Sequence, residues 1–447
     1  MKKILLLFVF VLGAHLNVLM AQNDYNGFNL KDYYTPDIVR NALELNANLS
    51  GQSANSTNKT NFNTSENHNV QFSINDLDVN FSSLKNTRKV ISTIGFGFSP
   101  TLDYQKYSSQ DTLFTLGHSE SAYWNNRLYY NSKYFITYNA SLGLSGGYHN
   151  NYADGLKKDM LLNFTPSIGW GIGRIENVTD ARQAIYILED FKKNGILSRD
   201  LTKDELFEFA QLISTVKNKR FLDSRLHRID EITTIDKYLK KKDVLRDNDA
   251  TYFTSLYDMW GYGAMFTRNS GSMLSFNVAP LVRYFWSYDK TPASQPVYET
   301  KNISYGAIAG VGYYFSKPVK LNWQHDASAN LNVDFEKYND LIDNHLFTSY
   351  MPSLDLKYKL GYYPSTRTNI YAQAGWNILY QKYKGDTGYT SYNRLALGGG
   401  MNYYVSQNLR LSAYVDIAND LHKITSFEST SKNLGISYGA SLTYLFY

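Results

Sequence analysis

Eight histidines, at positions 15, 68, 118, 149, 227, 325, 345 and 422, are the residues of this 447-residue chain best suited to metal or proton chemistry. No two of them form an H-x-x-x-H pair and the chain has no cysteine, so the pattern supplies no zinc site. His118-Ser119-Glu120 sets acid–base types side by side, but neighbours in sequence do not make a triad. The stretch reads as the tip of a solvated outer loop. Gly169-x-Gly171-x-Gly173 has the outline of a phosphate loop without its lysine, and Trp170 and Ile172 stand between the glycines. Close packing of strand backbones explains it better. Lys240-Lys241-Lys242 and the run Lys217 to Arg220 would suit nucleic acid, but 15 acids share their block, so they read as solvated helix faces. No enzyme, cofactor, metal or nucleic-acid partner is expected. The remaining chemistry is a set of charges at alternate positions between apolar residues: Arg283, Asp326, Asp334, Asp355, Lys357, Lys359, Arg394, Arg410 and Asp416.

The elements that carry these charges follow from composition. The chain holds 39 Tyr and 24 Phe, only 19% of it is charged, and its net charge is +5. Mean hydropathy is −0.39, and no internal apolar run reaches the length of a membrane-spanning helix. An aromatic content of 15% excludes a disordered chain. The lack of cysteine excludes a disulfide scaffold and a lipidated N-terminal cysteine. Residues 1–21 resemble a secretory signal, with Lys2 and Lys3 before the apolar run Ile4 to Leu12 and a small residue, Ala21, at the cut. Residues 22–40 are expected as an N-terminal periplasmic segment.

Charge is concentrated between Arg174 and Asp249, where 31 of 76 positions are charged, against 54 of 371 elsewhere. Inside that block the apolar period is helical. Asp180 reads as an N-cap, with Ala181, Ala184, Ile185 and Leu188 as the buried stripe and Gly195 as the stop. Thr202 to Glu205 is a capping box, with Leu201 placed to staple against Leu206. Leu206, Phe209, Ala210 and Ile213 form the second stripe. A third helix, from about Asn218 to Lys242, carries Leu222, Leu226, Ile229, Ile232, Ile235 and Leu239. A short fourth spans Ala250 to Tyr257. The expected organisation is a first sheet part over 41–173, a helical insertion over 174–258 and a second sheet part over 259–447.

Outside the block the period is two. Along Trp323 to Phe335, His325, Ala327, Ala329, Leu331, Val333 and Phe335 oppose Gln324, Asp326, Ser328, Asn330, Asn332 and Asp334. Tyr134 to Leu144 and Leu434 to Phe446 alternate in the same way. Strands of 11–13 residues with aromatic ends mark a transmembrane, antiparallel, up-and-down β-barrel, here of about fourteen strands with 12–16 as the range. A large soluble all-β protein is the competing reading. In the second strand the apolar set shifts from Val70, Phe72 and Ile74 to Leu77, Val79 and Phe81, which implies a bulge near Asn75. The polar run Asn46 to Asn69 is expected as an outer loop. Short links at Asn131 to Lys133, Ser316 to Val319, Tyr363 to Thr366 and Val405 to Asn408 alternate with longer ones. Because bacterial barrels keep short turns in the periplasm, the helical insertion is expected there too.

Ser437-x-Gly439-x-x-Leu442-x-Tyr444-x-Phe446, with Tyr447 last, resembles the closing-strand signal of bacterial outer-membrane proteins. The resemblance makes Gly439, Tyr444 and Phe446 an assembly signal. It implies the Gram-negative outer membrane, its lipid and the barrel-assembly machinery as surroundings. The Tyr/Asn-rich composition and the Ala21-Gln22 junction also look like proteins of the Bacteroidota. Mixed charge on a lumen wall sets the field that a solute meets in a pore. A porin-like channel for small polar solutes, gated by the helical insertion, is therefore one expectation. The other is a membrane-anchored interaction protein whose periplasmic helices dock a partner. A filled barrel with paired inner charges stands against the open channel.

Overall fold

The computed structural model describes residues 25–444 apart from 47–48, 60–63, 75–76, 108–109, 132, 152–154, 220–223, 247–248, 291–296, 343–345, 386 and 426–428. The expected signal segment and Phe446 of the assembly signal lie outside the described residues.

Among the described residues sixteen strands form one antiparallel sheet. Before the helices come β1 (Ile38–Asn46), β2 (Leu49–Lys59), β3 (Thr64–Ile74), β4 (Asp78–Asn86), β5 (Val90–Tyr107), β6 (Gln110–Tyr129), β7 (Tyr134–Asn151) and β8 (Gly155–Asn177). After them come β9 (Asn269–Lys290), β10 (Tyr298–Val319), β11 (Trp323–Asp340), β12 (Leu346–Ser365), β13 (Thr368–Tyr383), β14 (Thr390–Tyr404), β15 (Leu409–Ile424) and β16 (Ser429–Tyr444). From β4 onward each strand pairs with its neighbour in the chain, the up-and-down order. β1 pairs with β4, while β2 pairs with β3 and β3 with the far half of β5. Thus β1–β2 and β3–β4 are two strands, each interrupted once, and the path across the sheet holds fourteen.

The interruption has the cause that the apolar pattern indicates. Ile74 opposes Leu102 and Val79 opposes Phe98, so five steps on one strand face four on the other. One extra residue between Ile74 and Val79 turns Val79 and Phe81 to the face that Phe72 and Ile74 occupy beyond it. Asn75 itself lies outside the described residues. The Asn/Ser/Thr-rich run is corrected: β2 and β3 continue the ladder from Leu49↔Ile74 to Lys59↔Thr64 instead of forming a loop. Polar residues hold a strand there because the partner strand satisfies the backbone whatever the side chains are.

Between β8 and β9 the described residues form four helices: α1 (Thr179–Lys193), α2 (Lys203–Lys217), α3 (Ser224–Lys241) and α4 (Ala250–Tyr262). β8 runs on to Asn177 and α4 to Tyr262, so the helices occupy 179–262 rather than 174–258. Val178, not Asp180, occupies the N-cap position of α1, with no side-chain cap, and Gly195 follows its end at φ +70°, a conformation open to glycine. The capping box is complete: Thr202 accepts from the Glu205 amide and Glu205 accepts from the Thr202 amide. Leu201 and Leu206 are both buried. The expected stripes of α1 and α2 are buried throughout, as are Ile235 and Leu239 of α3. Ile229 departs from its stripe and is 78% exposed.

The segment before β1 is also part of this unit. Tyr25, Phe28, Leu30 and Tyr33 belong to the same apolar core as Phe191, Phe209 and Leu256. Tyr25 donates to Asp200 at 3.0 Å, and the Asn26 amide donates to the Leu201 carbonyl at 2.8 Å. Isolated helices of this length are marginal in water. The N-terminal strap supplies apolar area that the four helices do not supply alone.

Candidate functional site

Residues paired across a ladder point to the same face, so the registers sort every strand into two sets. Asp326 opposes Lys359, which opposes Gln373, then Gly398, then Asp416, then Ser437. Asp355 opposes Asn377, then Arg394, then Asp420. Asp334 and Lys357 share parity with Asp326 and Asp355, Arg410 with Asp416, and Arg283 opposes Ser304 on the same face. All nine charged residues singled out in the sequence therefore lie on one face. Gly439 lies there as well, under the ring of Tyr414, which a Cβ at position 439 would meet at 2.7 Å. Tyr444 lies on the opposite face.

The opposite face is apolar and open. Ile94, Phe96, Ile168, Trp170, Val278, Leu331 and Leu397 are each about half exposed or more. A soluble protein rarely leaves such a contiguous apolar surface.

On the polar face the charges are mostly matched. Arg283 reaches Glu336 at 3.0 Å and Asn163 at 2.8 Å, and Lys357 reaches Asp355 at 3.2 Å. Arg394 meets Asp420 at 3.2 Å, Lys359 sits 4.4 Å over the Tyr371 ring, and Asp416 accepts from Gln373 at 3.4 Å. Asp326 accepts from Ser316 and Gln324. Asp334 Oδ1 and Arg410 Nε are buried atoms with no hydrogen-bond partner. A cavity of about 520 Å³ brings Asp326, Lys357, Lys359, Gln373 and Asp416 to one wall. Glu336 and Asp420 follow the same alternation and were legible as members of the set. Asp355 and Arg394 lie apart from the other cavity in which Arg283 and Glu336 meet.

His118 and Glu120 correct the sequence reading. They lie within β6, not in a loop, and both point to the apolar face, where they contact one another at 3.0 Å. The glycine run behaves as strand packing. The Gly169 and Gly171 positions press against the Phe276 and Leu274 carbonyls of β9, leaving no room for a side chain.

The helical unit is fastened at the end of the sheet where the short turns are, as strand alternation requires. Arg268 and Arg182 make the joint, and no motif announced either. Arg268 donates to the Gln324 amide oxygen at 2.7 Å and to the Leu321 and Trp323 carbonyls at 2.7 and 2.6 Å. Arg182 donates to the Phe266 carbonyl at 2.8 Å, and both guanidinium groups stack near the Tyr363 ring. Burial pushes both below the ordinary arginine range, Arg268 to about 10, with Arg182 as its second cause. Arg367 pairs with Asp258 of α4 at 2.8 Å and lies 3.8 Å over the Tyr262 ring.

Phe266, three residues before β9, lies 5.7 Å from Tyr363 on β12 and 5.4 Å from Tyr404 on β14. In sheet order β14 is five strands from β9. At about 4.8 Å per step a flat sheet would hold them about 24 Å apart. The segment between α4 and β9 therefore reaches across the polar face to β12 and β14, with the helical unit against that end.

No family model matches the chain, and no curated protein does. Among solved structures, the chain is similar to the transport unit of the autotransporter AIDA-I from Escherichia coli, with 10% identity over 81% of this chain and 91% of that one. The TM-score is 0.27, a likeness too small to carry an argument.

Proposed function

We propose that the sheet closes into a fourteen-strand barrel, β1 against β16, in the outer membrane of a Gram-negative bacterium. It passes small polar solutes, and the helical unit governs the periplasmic mouth. The observation that carries this reading is the sorting of the sheet into an exposed apolar face and a polar face that holds all nine of the charges singled out, with Glu336 and Asp420 beside them. Lipid solvates the first and water the second. In lipid an unpaired strand edge is not tolerated, and β1 with β16 are the two ends of the ladder path. The barrel-assembly machinery reads the C-terminal strand. No catalysis, cofactor, metal or nucleic acid enters this reading.

Planar-bilayer conductance of the refolded full chain tests it. The expected result is a small or rare conductance in the native chain that rises when Arg367→Ala and Asp258→Ala free α4 from the β12–β13 turn. Silence in both removes the channel. A second reading has its own support: Ile229, Phe253 and Tyr257 stay exposed on α3 and α4. They give a periplasmic partner an apolar surface. Site-directed crosslinking in cells from position 229 tests it, and an empty lane from cells with correctly inserted barrel counts against docking.

A further inference from the structure

A cavity of about 770 Å³ lies on the polar face, in the half of the sheet away from the helical unit, walled by β8 to β13. Its lining differs from the rest of that face, which is mainly Ser, Asn, Gly and charge. Among the described strand residues three phenylalanines point to this face, and two of them, Phe285 and Phe347, line the cavity. The third, Phe135, is buried against Tyr129 near the helical unit. Tyr338 and Tyr383 complete an aromatic wall. Phe347 and Tyr383 leave 49% and 42% of their surface open, an unfavourable state for apolar rings in water.

A second, independent observation lies in the same wall. Asn302 is 3% exposed, and its Oδ1 has no hydrogen-bond partner. A buried amide oxygen without a donor is costly unless something in the cavity donates to it. Ser304 and Ser349 flank it with buried hydroxyls. Charge does not select the occupant, because Arg283 is matched by Glu336 and only Lys384 is added at the rim. An alkyl chain would cover the rings and leave Asn302 unsatisfied. A small anion would find the guanidinium already paired.

We propose that this cavity binds a neutral carbohydrate. The C–H face of a sugar ring stacks on Phe347 and Tyr383, and its hydroxyls donate to Asn302 Oδ1 and exchange hydrogen bonds with Ser304 and Ser349. The volume lies within the range of sites for ligands of a few sugar rings. The inference rests on the barrel reading, which turns this face inward, and not on conduction.

Isothermal titration of the refolded full chain in detergent, with folding checked by heat-modifiable migration, is the test. The probes are maltotriose, cellotriose and chitobiose, with dodecanoate as the alkyl control. Saturable binding of at least one sugar is expected, weakened at least about tenfold in Phe347→Ala and in Asn302→Leu. The second variant is near in volume and removes the unsatisfied oxygen, so a purely structural role predicts unchanged or improved folding and no loss of binding. The proposal is overturned if no sugar binds up to about 10 mM by a correctly folded barrel. Equal binding by both variants, or binding of dodecanoate alone, also overturns it. Conductance without sugar binding counts against the site only, and sugar binding without conductance counts against the channel only.

Discussion

The helical unit and the sheet bury opposite kinds of residue. In the helical unit Phe28, Phe191, Phe209 and Leu256 are fully enclosed, and lysines and acids face out in pairs such as Lys192–Asp200 and Lys240–Asp236. In the sheet Phe96, Trp170 and Leu331 face out, and charges such as Asp326, Lys357 and Lys359 turn to the other side. Both follow one rule, that apolar surface leaves water. They differ in what stands outside. For the helices it is water, and for the sheet, on the proposed reading, it is lipid. The net charge of +5 and the moderate hydropathy of the chain are averages over two such materials and describe neither.

The sharpest way to break the comparison is to remove the same ring from each region. Phe209→Ala empties a closed core and is expected to lower the stability of the helical unit by about 3–5 kcal/mol. Phe96→Ala removes a ring that is already 49% exposed and, on the proposed reading, is expected to cost far less because lipid fills the gap. Thermal unfolding followed by the helical signal, with heat-modifiable migration reporting the sheet, separates the two. Equal losses would show that the sheet carries an ordinary protein core.

A smaller effect comes from placing charge on each face of β11. Leu331→Lys puts an ammonium on the apolar face and is expected to cost about 2–4 kcal/mol in a bilayer. Asn332→Lys puts it on the polar face, beside Gly310, and should be close to neutral. Urea titration of folding into lipid vesicles gives the difference. If the two variants fold alike, the exposed face does not meet lipid.

The contrast also explains what could be read in advance. A strand with different solvents on its two sides must alternate, so the long strands and the break before Val79 were visible in the residues, whereas β2 and β3, polar along most of their length, were not. Both stripes of α1 and α2 and the capping box at Thr202 were visible too. The joint was not visible. Arg182 and Arg268 look like any two arginines until the fold closes over them, because carbonyl acceptors from Leu321 and Trp323 carry no side-chain signature. The strap from Tyr25 to Tyr33 lies about 150 residues from the helices it completes, beyond any local period. His118 and Glu120 misled for the converse reason: two polar residues in a polar stretch resemble a loop, and only the ladder shows that their backbone is paired.

The finest test of the comparison is pH, which acts on the helical unit most strongly through Glu205, while Lys192 and Lys242 also hold the Asp200 and Glu208 carboxyls below their usual range. Glu205 accepts from Arg199 Nη1 at 2.8 Å and from Nη2 of the same group at 3.0 Å, and from the Thr202 amide at 3.0 Å. The hydrogen bonds from Arg199 first, and from Thr202 next, hold its carboxyl well below the usual 4.5, at about 2. The folded state therefore resists protonation more than the unfolded state does. Its stabilising contribution is fully present above pH 4.5 and is lost as pH falls toward about 2. Glu205→Gln should flatten this acid limb in the unfolding of the helical unit while leaving the migration of the sheet unchanged. Thr202→Ala removes a cap that does not itself titrate and is a lesser cause of the low Glu205 pKa, so it is expected to shift the whole curve down by about 1 kcal/mol and to change its shape far less than Glu205→Gln does. An acid limb in Glu205→Gln as steep as in the native chain would mean that the pairing seen at the head of α2 is not what ties the stability of this unit to pH.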